Sequence, residues 1–230
     1  TYTITASNTG GSTTADVTIV VNDIAPTSLS YSPNSFTLTK GTAMTTVTPT
    51  SSGGTITTWS VSPSLPSGLS LDSSTGSISG TPSAVSSSTS YTITGSNTGG
   101  STTATVTIVV NDIAPSSLTY SPSSLTLTKG TAMTTVTPTS SGGTITTWSV
   151  SPSLPAGLSL DSTTGALSGT PTAITSSASY TITASNTGGS TTASVTIVVN
   201  DAAPSSLTYS PNSFTLTNGT AMTTVTPTSS

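Results

Sequence analysis

Apolar and polar residues alternate along most of this chain with a period of two. Between residues 189 and 200, Ala193, Val195, Ile197 and Val199 share one parity, and Ser194, Thr196 and Val198 share the other. Leu118 and Tyr120 flank Thr119, and Leu125 and Leu127 alternate with Thr126 and Thr128. A period of two predicts strands with one face on a core and one in water. Met133 to Val136 reads as the start of a further strand, and Ile145, Trp148 and Val150 as another. Residues 153–161 bend and then run extended, and Tyr180 and Ile182 share one strand. Glycine-containing turns separate these runs at Lys129-Gly130, Ser141-Gly142-Gly143, Thr164-Gly165 and Asn186-Thr187-Gly188-Gly189. No stretch carries a helical period. About seven short strands with regular turns predict an all-β fold, an antiparallel sandwich.

The pattern also repeats at long range. Residues 24–112 are restated at 113–201 with 14 differences in 89 positions, all mild, such as Phe36 against Leu125. Tyr2, Tyr91 and Tyr180 mark the step, as do Asp23, Asp112 and Asp201. The expected domains are two complete repeats, 24–112 and 113–201. Residues 1–23 read as the C-terminal part of a repeat and 202–230 as the N-terminal part of another. A chain that starts without Met and stops inside a unit reads as a window on a longer polypeptide. Pairing of the two partial units between copies, by strand exchange, would leave a hollow core, because the equivalents of Gly53 to Thr89 are missing. Repetition places function in the array rather than in one unique site.

Composition narrows the function classes. Ser and Thr make up 107 of 230 residues, against 2 Lys+Arg and 6 Asp+Glu. Such polarity without charge also suits a disordered stalk, but disordered tracts do not need regular alternation. No basic patch exists, so no nucleic-acid partner is expected. With no Cys and no His, thiol chemistry, disulfides and the usual transition-metal ligands are excluded. The longest apolar run, Ile19-Val20-Val21, is far too short for a helical membrane span, so this segment is not expected to insert. No triad, carboxylate pair or phosphate loop is present, and no enzyme is expected.

The string Leu154-Pro155-Ala156-Gly157-Leu158-Ser159-Leu160-Asp161, continuing through Gly165 to Gly169-Thr170-Pro171, recurs at Leu65 to Pro82. It resembles the core motif of the Putative Ig domain repeats of microbial surface proteins, and the hairpin and final strand that follow are similar to that family too. The resemblance covers the whole unit. It implies Ig-like or cadherin-like sandwiches in tandem on large extracellular proteins of adhesion or surface structure. The family has no common catalytic residues.

Five recurrent acids are the candidate metal ligands. Asp23, Asp112 and Asp201 lie at the junctions, while Asp72 and Asp161 follow Leu-Ser-Leu. In cadherin-like arrays, calcium held between domains by such acids stiffens the rod. Calcium wants six to eight oxygens, however, and these sites offer few carboxylates and no Glu. The competing reading is that these acids cap turns. Asp16 is an unrepeated extra. Lys40 and Lys129 suit an isopeptide bond only if buried beside an acid, and both precede Gly in a predicted turn. Asn218-Gly219-Thr220 is the one N-glycosylation sequon. Trp59 and Trp148 suit either a sugar platform or, as in Ig-like sandwiches generally, the core; Tyr31 and Tyr120 share the core parity. The Thr-x-Thr runs resemble ice-binding faces, although any uncharged exposed strand looks similar.

The junction sequence, Val-Val-Asn-Asp-(Ile/Ala)-Ala ahead of Pro26, Pro115 or Pro204, leaves no spacer and predicts a semi-rigid rod. The expected function is a structural or spacer array in an extracellular stalk, fibre or filament, with neighbouring copies of itself as partners, laterally or end to end. The alternative is an adhesin whose repeats bind a cell-surface or carbohydrate partner.

Overall fold

The computed structural model describes residues 1–229 and divides into two compact units, Thr1–Ile113 and the stretch from Ala114 onward. Among the described residues all regular structure is β, and no helix is long and apolar enough to cross a membrane.

The first unit opens with a two-stranded hairpin, β1 (Tyr2–Asn8) and β2 (Gly11–Val17). The complete repeat then supplies β3 (Pro26–Tyr31), β4 (Ser35–Thr39), β5 (Pro49–Gly53), β6 (Thr58–Ser62), β7 (Leu69–Leu71), β8 (Ile78–Gly80), β9 (Ser86–Asn97) and β10 (Gly100–Asn111). The second unit repeats the set as β11 (Ser116–Tyr120), β12 (Ser124–Thr128), β13 (Pro138–Ser141), β14 (Thr147–Ser151), β15 (Leu158–Leu160), β16 (Leu167–Gly169), β17 (Thr175–Asn186) and β18 (Gly189–Asn200).

In each repeat a four-stranded sheet, ordered β4-β10-β9-β6 or β12-β18-β17-β14, carries most of the core. Two-stranded pairs, β3-β5 with β7-β8 and β11-β13 with β15-β16, supply the rest. The alternation read from the sequence now has a direction. Val106, Ile108 and Val110 on β10 and Tyr91 and Ile93 on β9 point inward, and Phe36, Tyr31, Val47 and Ile78 join the same cluster. Each of these strands shows water one face and the core the other, which is what a period of two requires.

Three features differ from the expected plain antiparallel arrangement. First, β4 joins β10 in parallel, with Phe36 opposite Ile108 and Leu38 opposite Val110. The first run of the repeat is divided around Ser32-Pro33: β3 pairs antiparallel with β5, and β4 passes to the other sheet. Each repeat therefore has eight strands rather than about seven. Second, Met133 to Val136 is not a strand. Met133 N donates to Gly169 O at 2.9 Å and Val136 N to Leu167 O at 2.9 Å. Four residues on one side thus face three on the other, and the extra residue interrupts the ladder; the strand proper starts at Pro138. Third, β3 and β11 carry a bulge at Ser28 and Ser117, whose φ angles are 52° and 53°. A non-glycine residue in the left-handed region is strained, and the bulge exists because an extra residue sits between the pairs Thr27–Ser52 and Ser30–Thr50.

Two outcomes test this packing in urea unfolding of the whole chain. Ile93→Ala removes a side chain with no exposed surface and is expected to weaken the first repeat by about 2–5 kcal/mol, leaving the second repeat's transition in place. Ser117→Gly is expected to be neutral or slightly stabilising, whereas Ser117→Val costs about 1–3 kcal/mol, because only glycine accepts this φ without strain.

Candidate functional site

Asp72 and Asp161 organise the loop that follows β7 and β15. Asp72 follows β7, and its Oδ1 accepts from the backbone N–H groups of Ser74 and Thr75, both at 2.8 Å. Its own N–H donates to Ser77 O at 2.8 Å, and Gly76 N–H donates to its carbonyl at 2.9 Å. Asp161 does the same with Thr163 and Thr164, at 2.8 and 2.7 Å. These bonds favour the ionised form, so both carboxyls lie below the ordinary range, Asp72 through Ser74 first and Asp161 through Thr164 first. These carboxylates are turn caps.

The loop then closes the core. Gly76 adopts a φ of +71°, and its carbonyl accepts from the buried Tyr31 hydroxyl at 2.6 Å. The Trp59 ring lies against the bare Cα, where a Cβ would sit 2.6 Å from ring carbons. Gly165, Tyr120 and Trp148 reproduce the arrangement, again with a 2.6 Å hydrogen bond. Burial raises both Tyr31 and Tyr120 to about 12. Trp59 and Trp148 are partly buried and packed against the core, with one face covered by the glycine loop. Among the described residues, neither indole N–H has an acceptor. The tyrosine-to-glycine bond could not be read from the sequence, because it joins residues 45 positions apart.

The junction acids are placed differently. Asp23 is bound to the Thr98 hydroxyl, which accepts from Asp23 N–H at 2.9 Å and donates to Asp23 Oδ2 at 2.7 Å. Asp112 Oδ1 accepts from its neighbour Ile113 N–H at 2.9 Å, and Asp201 Oδ1 from Ala202 N–H at 3.1 Å. Asp16 Oδ1 accepts from the Thr3 hydroxyl at 2.7 Å. Among the described residues no three acidic groups come together in a way that would hold a metal ion. Lys40 is half-buried and Lys129 exposed, each in the turn expected for it. Asn218 is exposed in a turn closed by Thr220 N–H on Thr217 O at 3.1 Å.

The outer face of each four-stranded sheet is a grid of hydroxyls. Ser60, Thr94 and Thr103 line up across three strands, as do Ser62, Thr92 and Thr105. Ser149, Thr183 and Thr192 repeat the first row, and Ser151, Thr181 and Ser194 the second. Neighbouring hydroxyls bond directly, Thr58 to Ser96 at 2.7 Å and Thr147 to Ser185 at 2.6 Å. Beside edge strands β4 and β12 lies an apolar slot, about 340 Å³ along Phe36, Leu38 and Met44 and about 420 Å³ along Leu125, Leu127 and Met133. No acid, amine or phenol lines either slot.

A family model described as "Putative Ig domain" matches residues 25–111 and 115–200. No curated protein matches the chain. Among solved structures it is similar to Drosophila OTK extracellular domains 3–5, at 18% identity over 75% of this chain and 62% of that one, with a TM-score of 0.44. It is also similar to the N-terminal four Ig domains of Dscam1 isoform 6.44, at 15% identity over 84% and 52%, with a TM-score of 0.46. A third is titin domains I67–I69 in an E-to-A variant, at 15% identity over 86% and 73%, with a TM-score of 0.41. This chain thus spans less than two thirds of the OTK and Dscam1 chains.

The loop chemistry gives stability a window bounded at both ends. Asp72 and Asp161 have depressed values in the folded state, so their contribution is present above the ordinary carboxylate range and lost as pH falls through the folded values. Asp72→Asn with Asp161→Asn is expected to flatten the acid limb of a stability–pH curve. Tyr31 and Tyr120 are raised, so their contribution holds below the ordinary phenol value of 10.0 and is lost as pH rises toward about 12. Ultraviolet titration of the phenols is expected to show a component that ionises toward about 12, and Tyr31→Phe with Tyr120→Phe is expected to remove it.

Proposed function

The chain belongs to the Putative Ig domain family as a tandem of Ig-like domains, and on that premise we propose that it is a non-catalytic spacer of an extracellular stalk, fibre or filament. One observation carries this reading. None of the 14 positions that differ between the repeats gives one repeat a charged side chain or an exposed aromatic that the other lacks. A dedicated receptor site needs a distinguishing feature in at least one domain, usually aromatic or arginine anchors. Two surfaces kept alike suit a part used for length and repetition. The second reading, an adhesin with a carbohydrate platform, has less support, because each tryptophan has one face covered by its glycine loop.

The proposed partners are neighbouring copies. The hydroxyl grids carry donors and acceptors together, so one such face complements another directly or through water. With 8 charged residues in 230, little self-repulsion holds copies apart. Calcium has no part in this proposal. Cell-surface location follows from the same reading and rests on it.

Negative-stain micrographs of concentrated protein at neutral pH are expected to show molecules associated side by side. Raising the salt concentration is expected to leave that association intact, since only 8 of 230 residues carry a charge that salt could screen. Isolated molecules at every concentration would overturn the assembly reading.

A further inference from the structure

The segment Asp23 to Ala25, which enters the first complete repeat, is pinned at each residue. Beyond the two bonds between Asp23 and the Thr98 hydroxyl, Asn97 Nδ2 donates to Ile24 O at 2.7 Å and to Thr55 O at 3.0 Å. Gly54 N–H donates to Ala25 O at 3.2 Å. Asn97 is itself held, because its Oδ1 accepts from Gly99 N–H at 2.8 Å and from Gly100 N–H at 3.1 Å. Two glycines make room: a Cβ on Gly99 would lie 1.9 Å from Asp23 O, and one on Gly54 would lie 1.8 Å from Ile24 O. The linker backbone therefore runs against two glycine turns at contact distance, and no larger residue fits at either.

We propose that the hairpin tip Asn97-Thr98-Gly99-Gly100 is a latch for the entering linker, and that it opens while the sandwich stays folded. The argument is a contrast between neighbours in the chain. Among the described residues, Asp23 and Ile24 are held by hydrogen bonds at exposed positions, where water competes for every partner. From Pro26 onward the chain is anchored by buried side chains, Pro26, Leu29 and Tyr31, which alternate with exposed residues. Tension or thermal opening thus frees Asp23 to Ala25 before it reaches anything in the core. Three released residues add about 10 Å of contour at the joint. Proline stiffening of the joint then holds only while the latch is closed. The latch stands on this geometry alone, and the spacer reading gives it a mechanical use.

Thr98→Val keeps the shape of the side chain and removes the hydroxyl that binds Asp23. Amide exchange at Asp23 is expected to rise several-fold, and cleavage of the Asn22–Asp23 bond by an Asp-directed endoprotease to accelerate to match. Cleavage before Asp161 in the same chain and the melting midpoint are expected to stay as in the wild type. Gly99→Val, which places atoms against Asp23 O, is expected to give the same local exposure. Exchange and cleavage at Asp23 that do not change in either variant would overturn the latch. So would a rise at Asp23 matched by an equal rise across β9 and β10, because linker release would then be unfolding of the domain. Both readouts are local to one chain, so they stand or fall separately from side-by-side assembly.

Discussion

Each repeat depends on one buried hydrogen bond, from the hydroxyl of Tyr31 or Tyr120 to the carbonyl of Gly76 or Gly165. A phenol taken into a core must find a partner, and a loop carbonyl taken there must find a donor. This pairing satisfies both at once and joins β3 to a loop 45 residues later. Several local choices follow from it. The glycine must take a positive φ for its carbonyl to turn inward, and the aspartate caps the turn that delivers it. The missing Cβ leaves a flat space, which the tryptophan ring fills. The Leu-Ser-Leu-Asp motif is thus one half of a closure whose other half lies on the first strand.

The outward faces follow a second constraint, solubility with almost no charge. Each exposed strand position needs a side chain that suits a pleated sheet and still hydrogen-bonds to water. Thr and Ser meet both demands, and Thr has high strand propensity. Rows of hydroxyls result, bonded to one another across strands where geometry allows. The same composition weakens the usual means by which proteins repel their neighbours, which links the sheet faces to the assembly proposed above.

Much of the fold was legible because it is local. The parity of Val195, Ile197 and Val199 announced their burial, and the Asn186 to Gly189 hairpin turned where its glycines indicated. What escaped depends on pairing. Met133 to Val136 has the residues of a strand, but a one-residue mismatch against Leu167 and Gly169 interrupts its ladder. The parallel partnership of β4 with β10 was hidden because periodicity does not say which sheet a strand joins. Among the candidate ligands, the turn-capping role of Asp72 and Asp161 follows from nearby residues. The bond from Asp23 to Thr98 spans 75 positions and has no local signature.

The chain contains its own comparison between sequence and context. Residues 202–229 differ from 113–140 at four positions only, yet the earlier stretch forms β11, β12 and part of β13, while the later one keeps a single bridge between Thr208 and Thr228. Tyr120 is 5% exposed and its counterpart Tyr209 is 47% exposed. The β1–β2 hairpin, by contrast, forms with Tyr2 61% exposed where Tyr91 is 4%. A two-residue glycine turn brings adjacent strands together without help, so the sequence alone determines hairpins, turns and the parity of each face. Strands whose partners lie far along the chain depend on long-range pairing and burial to offset loop closure, which no local pattern specifies. Which residues become core was decided by the tertiary structure.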